Sequence, residues 1–186
     1  MTGAAQIEGP YRYWLARTWN DTASRLVWVM LNPSTADAFK DDPTIRKCIG
    51  FAMNAQCGGI DVVNLFALRS TVPHSLMTAP DPVGPRNDYW IERVITDRRC
   101  WRVVAAWGCD PHTWSRDVLA QRPHAVANLI EAVKPLYCLG LTRKGSPRHP
   151  SRLAYATPFE LLPPRSSEYV GTPAPCTTPT TKDDAD

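Results

Sequence analysis

The sequence has no apolar run of 18 residues, which is close to the length that a helix needs to cross a membrane. Its opening residues, MTGAAQIEGP, lack both the basic start and the apolar core of a secretory signal peptide. We therefore expect a cytoplasmic protein that makes no contact with a membrane. Internal repeats and the glycine-rich loop that cradles phosphates are also absent, so no such motif points to a nucleotide-binding function.

The six cysteines never form a C-x-x-C pair. Zinc and iron-sulfur sites usually have more closely spaced ligands, and disulfide frameworks usually belong to shorter exported chains. We therefore expect free thiols, no metal and no cofactor. The cysteines are Cys48, Cys57, Cys100, Cys109, Cys138 and Cys176.

The composition is that of an ordinary globular protein, with 44% hydrophobic and 21% charged residues, and 186 residues suffice for one domain with a core. We place that domain at residues 11–162, after a flexible lead at 1–10. Residues 163–186 are rich in proline and threonine and have little to bury, which predicts a disordered acidic tail. The tail has two cations and four anions, so the formal charge of +3 leaves +5 for residues 1–162. A mildly basic domain fits an anionic partner.

The stretch RLVWVMLNPSTAD, from Arg25 to Asp37, is central to the predicted fold. Its apolar run, Leu26 to Leu31, is too short for a membrane span and predicts a buried strand. Asn32 and Pro33 end that strand, because proline cannot continue the hydrogen-bonded ladder. In open α/β sheets, ligands bind beyond the carboxyl ends of the strands. The sequence therefore predicts that Asn32 lies at the edge of a site.

Apolar strand segments alternate with helical segments along the chain. Strands are predicted at 25–31, 60–66, 101–107 and 135–141, and helices at 41–57, 87–100 and 117–133. Asp41 or Asp42 would cap the first helix, and Asn87 or Asp88 the second. This alternation predicts a three-layer α/β/α domain with a central, mainly parallel four-stranded sheet. We interpret Tyr11 to Trp19 as a further strand at the sheet edge.

Polar residues occur at the ends of three of these strands. Asn32 follows the first strand, Asn64 lies in the second, and the basic loop RKGSPRHPSR at 143–152 follows the fourth. A buried asparagine is costly unless its amide is hydrogen-bonded, so Asn64 is either a structural residue or a reader of a ligand. Because the carboxyl ends of parallel strands meet at one edge, we expect Asn32, Asn64 and His149 to converge.

These residues resemble the motifs of the uracil-DNA glycosylase superfamily. The matching segments are Leu31-Asn32-Pro33-Ser34, Val62-Val63-Asn64-Leu65-Phe66-Ala67-Leu68-Arg69, the helix at 87–100, Val103-Val104-Ala105-Ala106-Trp107-Gly108 and His149-Pro150-Ser151. They occur in the order of the family's motifs. The chain also resembles a group of bacterial and phage proteins known only as a domain of unknown function, which share its Asn-Pro-Ser-Thr, Asp-Asp-Pro-Thr and Pro-x-His-Pro signatures. That second resemblance implies no chemistry.

The glycosylase resemblance implies a uracil-DNA-glycosylase-like fold and a monomeric, monofunctional enzyme. Such an enzyme flips a base out of double-stranded DNA and hydrolyses its N-glycosidic bond. Asn32 would position the water, and His149 would donate a hydrogen bond to the departing base. Asp42, or its neighbours Asp37 and Asp41, would replace the family's catalytic aspartate. The expected base-binding residues are Asn64, Pro33, Ser34 and Phe39, and the expected DNA-binding residues are Arg69, Arg143, Lys144, Arg148, Ser151 and Arg152.

The chain departs from the family pattern at two positions. Asn32 stands where the uracil enzymes have an aspartate, and the small residues Ser34 and Thr35 follow where the best-known enzymes have an aromatic residue. That aromatic residue walls off position 5 of the pyrimidine. Its absence predicts a larger base, such as a hydroxymethylated or glucosylated cytosine. Phages shield their DNA with such bases, so we expect phage DNA as a partner and a role in anti-phage defence.

Two other functions fit the same residues. An enzyme that acts on free nucleotides or nucleosides would use the pocket without duplex DNA. A non-catalytic reader would flip and bind a modified base, and the replacement of an aspartate by Asn32 favours it. Each residue also has a structural interpretation: Asn32 as a turn cap, Asn64 as a hydrogen-bonded core amide, His149 as a loop residue, and the basic loop as a solvated surface.

Overall fold

The computed structural model describes residues 1–72, 74–108 and 117–163. The predicted tail at 163–186 lies outside the described residues except for Pro163, and Cys109 and Cys176 lie outside them too. In these three ranges, no helix is both long enough and apolar enough to span a membrane.

A seven-stranded mixed sheet forms the centre of the fold, in the order β1-β2-β4-β3-β5-β6-β7. The strands are β1 (Thr2–Glu8), β2 (Tyr11–Thr18), β3 (Arg25–Met30), β4 (Gly59–Asn64), β5 (Cys100–Ala105), β6 (Leu136–Cys138) and β7 (Glu160–Leu161). The strands predicted from the four apolar segments are β3 to β6, and they pair in parallel. The prediction of a four-stranded sheet was wrong, because β1, β2 and β7 add antiparallel strands at its two sides.

Helices cover both faces of this sheet. Within the described ranges they are α1 (Pro43–Asn54), α2 (Ser75–Thr78), α3 (Asn87–Ile95) and α4 (Asp117–Glu131), and a 3₁₀ turn forms at Pro150–Arg152. In β3, Trp28 and Met30 pack with α1 on one face, whereas Val27 and Val29 pack with α3 and α4 on the other. Successive strand residues point to opposite faces, so an uninterrupted apolar strand requires a core on each side. Helices on both faces were predicted from the sequence, and this is confirmed.

Two predictions about the start of the chain were wrong. Residues 1–10 are not a flexible lead, because Thr2–Glu8 pairs with β2 along its whole length. Tyr11–Thr18 is not an edge strand, because β1 and β4 flank it. The basic strand β2 is therefore covered on both of its edges.

The start of α1 was predicted correctly and that of α3 was not. Asp42 caps α1, and its Oδ1 accepts a hydrogen bond from the main-chain N–H of Ile45 at 2.9 Å. Asn87 is the first helical residue of α3 and does not cap it. Its Nδ2 instead donates to the carbonyl oxygens of Asn64 and Leu65, each at 3.0 Å, and so joins α3 to the end of β4.

Candidate functional site

A cavity of about 250 Å³ lies at the carboxyl ends of β3 and β4. It is smaller than the roughly 300–1,000 Å³ of pockets for drug-sized ligands, so its size suits a group such as one substituted nucleobase. The polar lining residues are Arg12, Asn32, Ser34, Asp42, Thr44, Asn64, Ser70, Thr71 and His149, and the apolar ones are Met30, Leu31, Ile45, Val62 and Trp107. The predicted convergence of Asn32, Asn64 and His149 is confirmed. Their chemical roles stay predictions.

Asn64 lines the cavity with a side-chain amide that has no hydrogen-bond partner. It ends β4 with 1% of its surface exposed, and neither its Nδ2 nor its Oδ1 has a hydrogen-bond partner. A buried polar group left unpaired costs about 1–3 kcal/mol. The interpretation of Asn64 as a hydrogen-bonded core amide was therefore wrong. A ligand edge with one donor beside one acceptor, as on a pyrimidine, would satisfy both atoms.

Asn32 has a fixed amide nitrogen and a free oxygen. Its Nδ2 donates to the carbonyl oxygens of Pro33 at 3.1 Å and Ser70 at 2.9 Å. Because two carbonyl acceptors contact the same atom, that atom is the amide nitrogen, and Oδ1 is left as an acceptor for a water or a ligand. Asn32 thus caps the turn, as one interpretation held, and still offers an acceptor at the cavity.

His149 is held as a neutral ring with a defined tautomer. Its Nδ1 accepts a hydrogen bond from the main-chain N–H of Ser151 at 3.3 Å and lies 2.6 Å from Ser151 Oγ. An accepting Nδ1 places the proton of the neutral ring on Nε2. Burial lowers the pKa of His149, against the opposing effect of Asp42. At neutral pH the ring therefore carries one proton, at Nε2, which can donate.

Asp42 is the one carboxylate among the described residues that line the cavity. Capping of α1 occupies its Oδ1 through Ile45, so Oδ2 is left to accept a proton or a hydrogen bond. The helix-cap interpretation of Asp42 is confirmed, and it is compatible with a chemical role because the cap uses one oxygen. Asp41 lies 2.7 Å from Arg17 in an ion pair, and Asp37 accepts bonds within its own loop.

Among the cavity residues that sequence analysis missed, Arg12 and Trp107 have buried polar atoms without a partner. Arg12 is 3% exposed, its Nη1 donates to the carbonyl oxygen of Ala36 at 2.8 Å, and its Nε has no partner. Burial lowers the pKa of Arg12 to about 10, so it is still a cation at neutral pH. The Nε1 of Trp107 is also buried without a partner. In the sequence, Arg12 looked like one of several basic residues of an edge strand, and Trp107 like the end of an apolar strand.

The predicted DNA-binding residues lie on the surface, and Arg69 and Arg148 are chain neighbours of the lining residues Ser70 and His149. Exposed residues of this set are Arg69, Arg143, Lys144, Arg148, Ser151 and Arg152. The basic loop begins as a tight hairpin, in which Thr142 N–H donates to Ser146 O at 2.8 Å and Gly145 N–H to Thr142 O at 2.9 Å. It then continues to His149. Its cations therefore lie on a defined backbone that leads to His149 in the cavity lining.

Two of the predicted base-binding residues do not line the cavity. Pro33 is buried, and its carbonyl oxygen accepts from Asn32 Nδ2 and from the main-chain N–H of Ser70 at 2.9 Å. Phe39 is 98% exposed, on the loop between Ser34 and Asp42. Pro33 therefore shapes the turn, and Phe39 is exposed on a loop outside the cavity lining.

A second and larger cavity, of about 530 Å³, lies near the amino ends of the parallel strands. Its charged groups are largely paired: Arg25 Nε lies 2.5 Å from Asp61 Oδ2, and Arg99 Nη2 lies 3.2 Å from Asp97 Oδ2. By size alone, this larger cavity would be the better candidate for the functional site. We assign the site to the smaller one, because the unpaired amide of Asn64 and the half-free carboxylate of Asp42 lie there.

In the described ranges, no group of three or more His, Cys, Asp and Glu side chains is placed to hold a metal ion. Cys48, Cys57, Cys100 and Cys138 are free and buried. Burial raises the pKa of Cys57 to about 11, so this thiol is protonated and a poor ligand or nucleophile at neutral pH.

The comparisons with known proteins concern the same part of the chain as the cavity. No curated protein and no solved structure matches the chain. A family model described as a protein of unknown function, DUF1643, matches residues 12–151, a range that contains every residue lining the cavity. The resemblance to proteins known only as a domain of unknown function is thereby confirmed, whereas the resemblance to uracil-DNA glycosylases stays a prediction. Because the match covers most of its length, the chain belongs to the DUF1643 family of proteins of unknown function.

Proposed function

We propose that this protein is a DNA glycosylase that flips a 5-substituted pyrimidine, such as hydroxymethylated or glucosylated cytosine, out of double-stranded DNA and excises it. The observation that carries the proposal is the side chain of Asn64, which lines the cavity with both of its polar atoms buried and unpaired. A free donor beside a free acceptor matches the edge of a pyrimidine. Trp107, in the same cavity, has a flat apolar face on which a base can stack.

The residues around Asn64 supply the groups that hydrolysis of an N-glycosidic bond needs. Asn32 Oδ1 accepts a hydrogen bond from a water and orients it towards the sugar C1′, and Asp42 Oδ2 takes the water's proton. A new C1′–O bond forms while the bond between C1′ and the base nitrogen breaks, and the base leaves with the bonding electrons. The departing base takes up a proton, so the products are a free base and an abasic site.

His149 stabilises the departing base by donating a hydrogen bond to it. Negative charge builds on the base as the bond breaks, and a donor that is already in place stabilises it without reorganisation. The neutral ring of His149 carries its proton on Nε2, because Nδ1 accepts from Ser151. By analogy with donors in oxyanion holes, one such hydrogen bond contributes about 3 kcal/mol to the lowering of the barrier.

The preference for a substituted base rests on the small and polar side chain of Ser34. Ser34 lines the cavity, as do Thr44, Ser70 and Thr71. Hydroxyl groups both donate and accept hydrogen bonds, so such a lining favours a hydroxymethyl or sugar substituent over the bare ring of uracil. Bases of this kind shield phage DNA, so the proposal includes a role in defence against phages.

Contacts to phosphates would offset the cost of flipping, which is a few kcal/mol for a paired base. The exposed cations of the basic loop, among them Arg143, Lys144 and Arg148, are candidates for these contacts. Double-stranded DNA is therefore the proposed partner, and the protein acts as a monomer.

An excision assay tests the proposal. The purified protein is incubated with duplexes that contain uracil, 5-hydroxymethylcytosine, its glucosylated form or only ordinary bases, and abasic sites are then revealed by strand cleavage in alkali. We expect cleavage at a 5-substituted cytosine, and loss of that cleavage in Asn32→Ala and His149→Ala. Removal of uracil alone would refute the preference for large bases. Tight binding of one modified duplex without cleavage would instead identify a non-catalytic reader.

A further inference from the structure

The described residues include four buried arginines, and one of them has no carboxylate partner. Three of the four form ion pairs, which are Arg17–Asp41, Arg25–Asp61 and Arg122–Asp88. The fourth is Arg12, which is 3% exposed and belongs to none of the ion pairs among the described residues. Burying a cation is costly unless it is paired. Arg12, in the lining of the cavity that contains Asn64, therefore carries a charge that still needs a partner.

The contacts of Arg12 leave part of its guanidinium group free. Nη1 donates to the carbonyl oxygen of Ala36 at 2.8 Å, whereas Nε is buried without a partner. Burial lowers the pKa of Arg12 to about 10, against the opposing effect of Asp42, so the group is still a cation at neutral pH. The carboxylate of Asp42 caps α1 and makes no ion pair with Arg12. Within the described part of the chain, this buried positive charge has no counter-ion in contact.

A β-bulge places Arg12 on this side of the sheet. The register between β1 and β2 shifts beside Tyr13, which pairs with no residue of β1. In a regular strand, Arg12 and Trp14 would point to the same face, because side chains alternate. Here Trp14 stacks on Trp90 of α3 with ring centroids 5.9 Å apart, whereas Arg12 lines the cavity with Met30, which packs on the α1 face. Bulges re-aim side chains next to functional sites, and this one turns the cation towards the cavity.

Two further N–H donors on residues of the cavity lining have no acceptor. They are Nδ2 of Asn64 and Nε1 of Trp107, and both atoms are buried. Together with Nε of Arg12, three lining residues thus carry an N–H group that lacks an acceptor. Carboxylates and phosphates accept several hydrogen bonds at once, and the planar guanidinium group of arginine matches their geometry. The unmet donors and the unpaired charge therefore favour the same kind of ligand group.

We infer that Arg12 is an anion-binding residue: its guanidinium group pairs with a negatively charged oxygen group, a carboxylate or a phosphate, on the ligand that fills this cavity. The inference goes beyond the proposed function, because the hydroxymethyl and glucosyl substituents proposed there carry no charge. Two sources provide the same chemistry. A substituent on the base can end in a carboxylate, and a free nucleotide carries its own phosphate. In both cases, binding supplies the counter-ion that Arg12 lacks.

Calorimetric titration of the full chain tests the inference with two pairs of ligands that differ in charge. One pair is cytosine-5-carboxylate and 5-hydroxymethylcytosine, and the other is cytidine 5′-monophosphate and cytidine. A hydrogen bond to a charged group corresponds to about a tenfold change or more in affinity. We therefore expect the wild type to bind the anionic member of at least one pair about tenfold more tightly than the neutral member. The pair that shows this preference identifies the source of the negative charge.

Substitutions at Arg12 should remove the preference for the anionic ligand. Arg12→Gln has no charge and should bind both members of each pair about equally, and Arg12→Lys, which keeps the charge without the planar group, should lie in between. Because Arg12→Gln removes a charge that has no ion-pair partner, no carboxylate is left unpaired, and its melting temperature should stay close to that of the wild type. Arg148→Gln is the matched control, since it removes an exposed cation next to His149 in the chain and should keep the preference.

Three results would overturn the inference. They are a wild type without a charge preference in either pair, an Arg12→Gln variant that keeps the preference, and an equal loss of the preference in Arg148→Gln. The excision assay is read separately. A charge preference without excision from any duplex would refute the glycosylase proposal alone, whereas excision without a charge preference would refute the role of Arg12 alone.

Discussion

Gly108 lies so close to His149 that a Cβ atom added to Gly108 would stand 2.5 Å from the Cβ of His149. Gly108 follows β5 with a φ of +67°, a conformation that side chains disfavour. Gly108, just after β5, therefore limits where the side chain of His149 can lie.

The substitution Gly108→Ala should displace His149. A misplacement of about 1 Å at a catalytic group costs about a hundredfold in rate, and we expect a loss of that order in excision. Gly9→Ala is the control, because Gly9 has a φ of +55° and open space around it. Gly9→Ala should lose about 1–2 kcal/mol of unfolding free energy from the left-handed backbone, and Gly108→Ala should lose more because of its contact with His149. Equal excision rates in the two would show that the contact with His149 has no role in positioning.

Replacing Asn64 should separate stability from binding. In Asn64→Leu no hydrogen bond is lost, because the amide has none, so the free energy of unfolding should be unchanged or higher. Binding of modified duplexes should be abolished. Asn87→Leu is the matched control, since it removes two hydrogen bonds to main-chain oxygens and should cost about 1–3 kcal/mol. Urea denaturation and a binding titration measure the two effects. A destabilised Asn64→Leu would make Asn64 a structural residue.

Asp42→Asn should retain the fold and lose the chemistry. Asparagine caps helices as well as aspartate does, so α1 should keep its start and the melting temperature should stay close to that of the wild type. Without a carboxylate to take the water's proton, excision should fall by about 10²- to 10⁴-fold. The neighbouring variant Asp41→Asn should keep most of the activity, since Asp41 does not line the cavity. If the Asp42→Asn variant still excises the base, the role of Asp42 is to cap α1 and not to take the proton of the water.

Stability should fall in acid because of His149. Burial lowers its pKa below the ordinary value of 6.5, so the unfolded chain binds a proton at a higher pH than the folded protein does. The contribution of His149 is therefore complete above about pH 6.5 and is lost as the pH falls below it. We expect the melting temperature to drop between about pH 7 and about pH 5, and a smaller drop in His149→Gln. His74→Gln, at an exposed histidine, should drop like the wild type. Identical drops in all three proteins would contradict this.

The salt dependence of DNA binding should show whether the cations of the basic loop contact phosphates. Each phosphate contact contributes about 0.9 to the slope of log affinity against log salt concentration. The double variant Arg143→Gln, Lys144→Gln should thus have a slope lower by up to about 1.8, with weaker binding to all duplexes alike. Arg98→Gln removes an exposed cation before β5, at the opposite edge of the sheet, and should leave the slope unchanged. A slope that does not change in the double variant would place the DNA elsewhere.

Most of the central sheet could be predicted from the sequence because its cause is local. The apolar run around Val27 to Val29 needs burial on both faces, and a strand flanked by helices provides it. The cap at Asp42 was also predictable, since it depends on a hydrogen bond to a residue three positions later. Strand β1 was not predictable, because TGAAQIE has no strong apolar pattern and forms a strand by pairing with β2.

The sequence by itself determined which polar residues follow the parallel strands, and hence that Asn32, Asn64 and His149 meet at one edge. The tertiary structure alone decided which of them have partners. Asn87 could have capped α3, but its amide binds the end of β4; Asn64 has no partner at all. Likewise, the burial of Arg12 follows from β1 and the loop at 35–41 covering β2, and the exposure of Phe39 follows from the same contacts. Burial and hydrogen bonding depend on residues distant in the sequence, so no local pattern could show them.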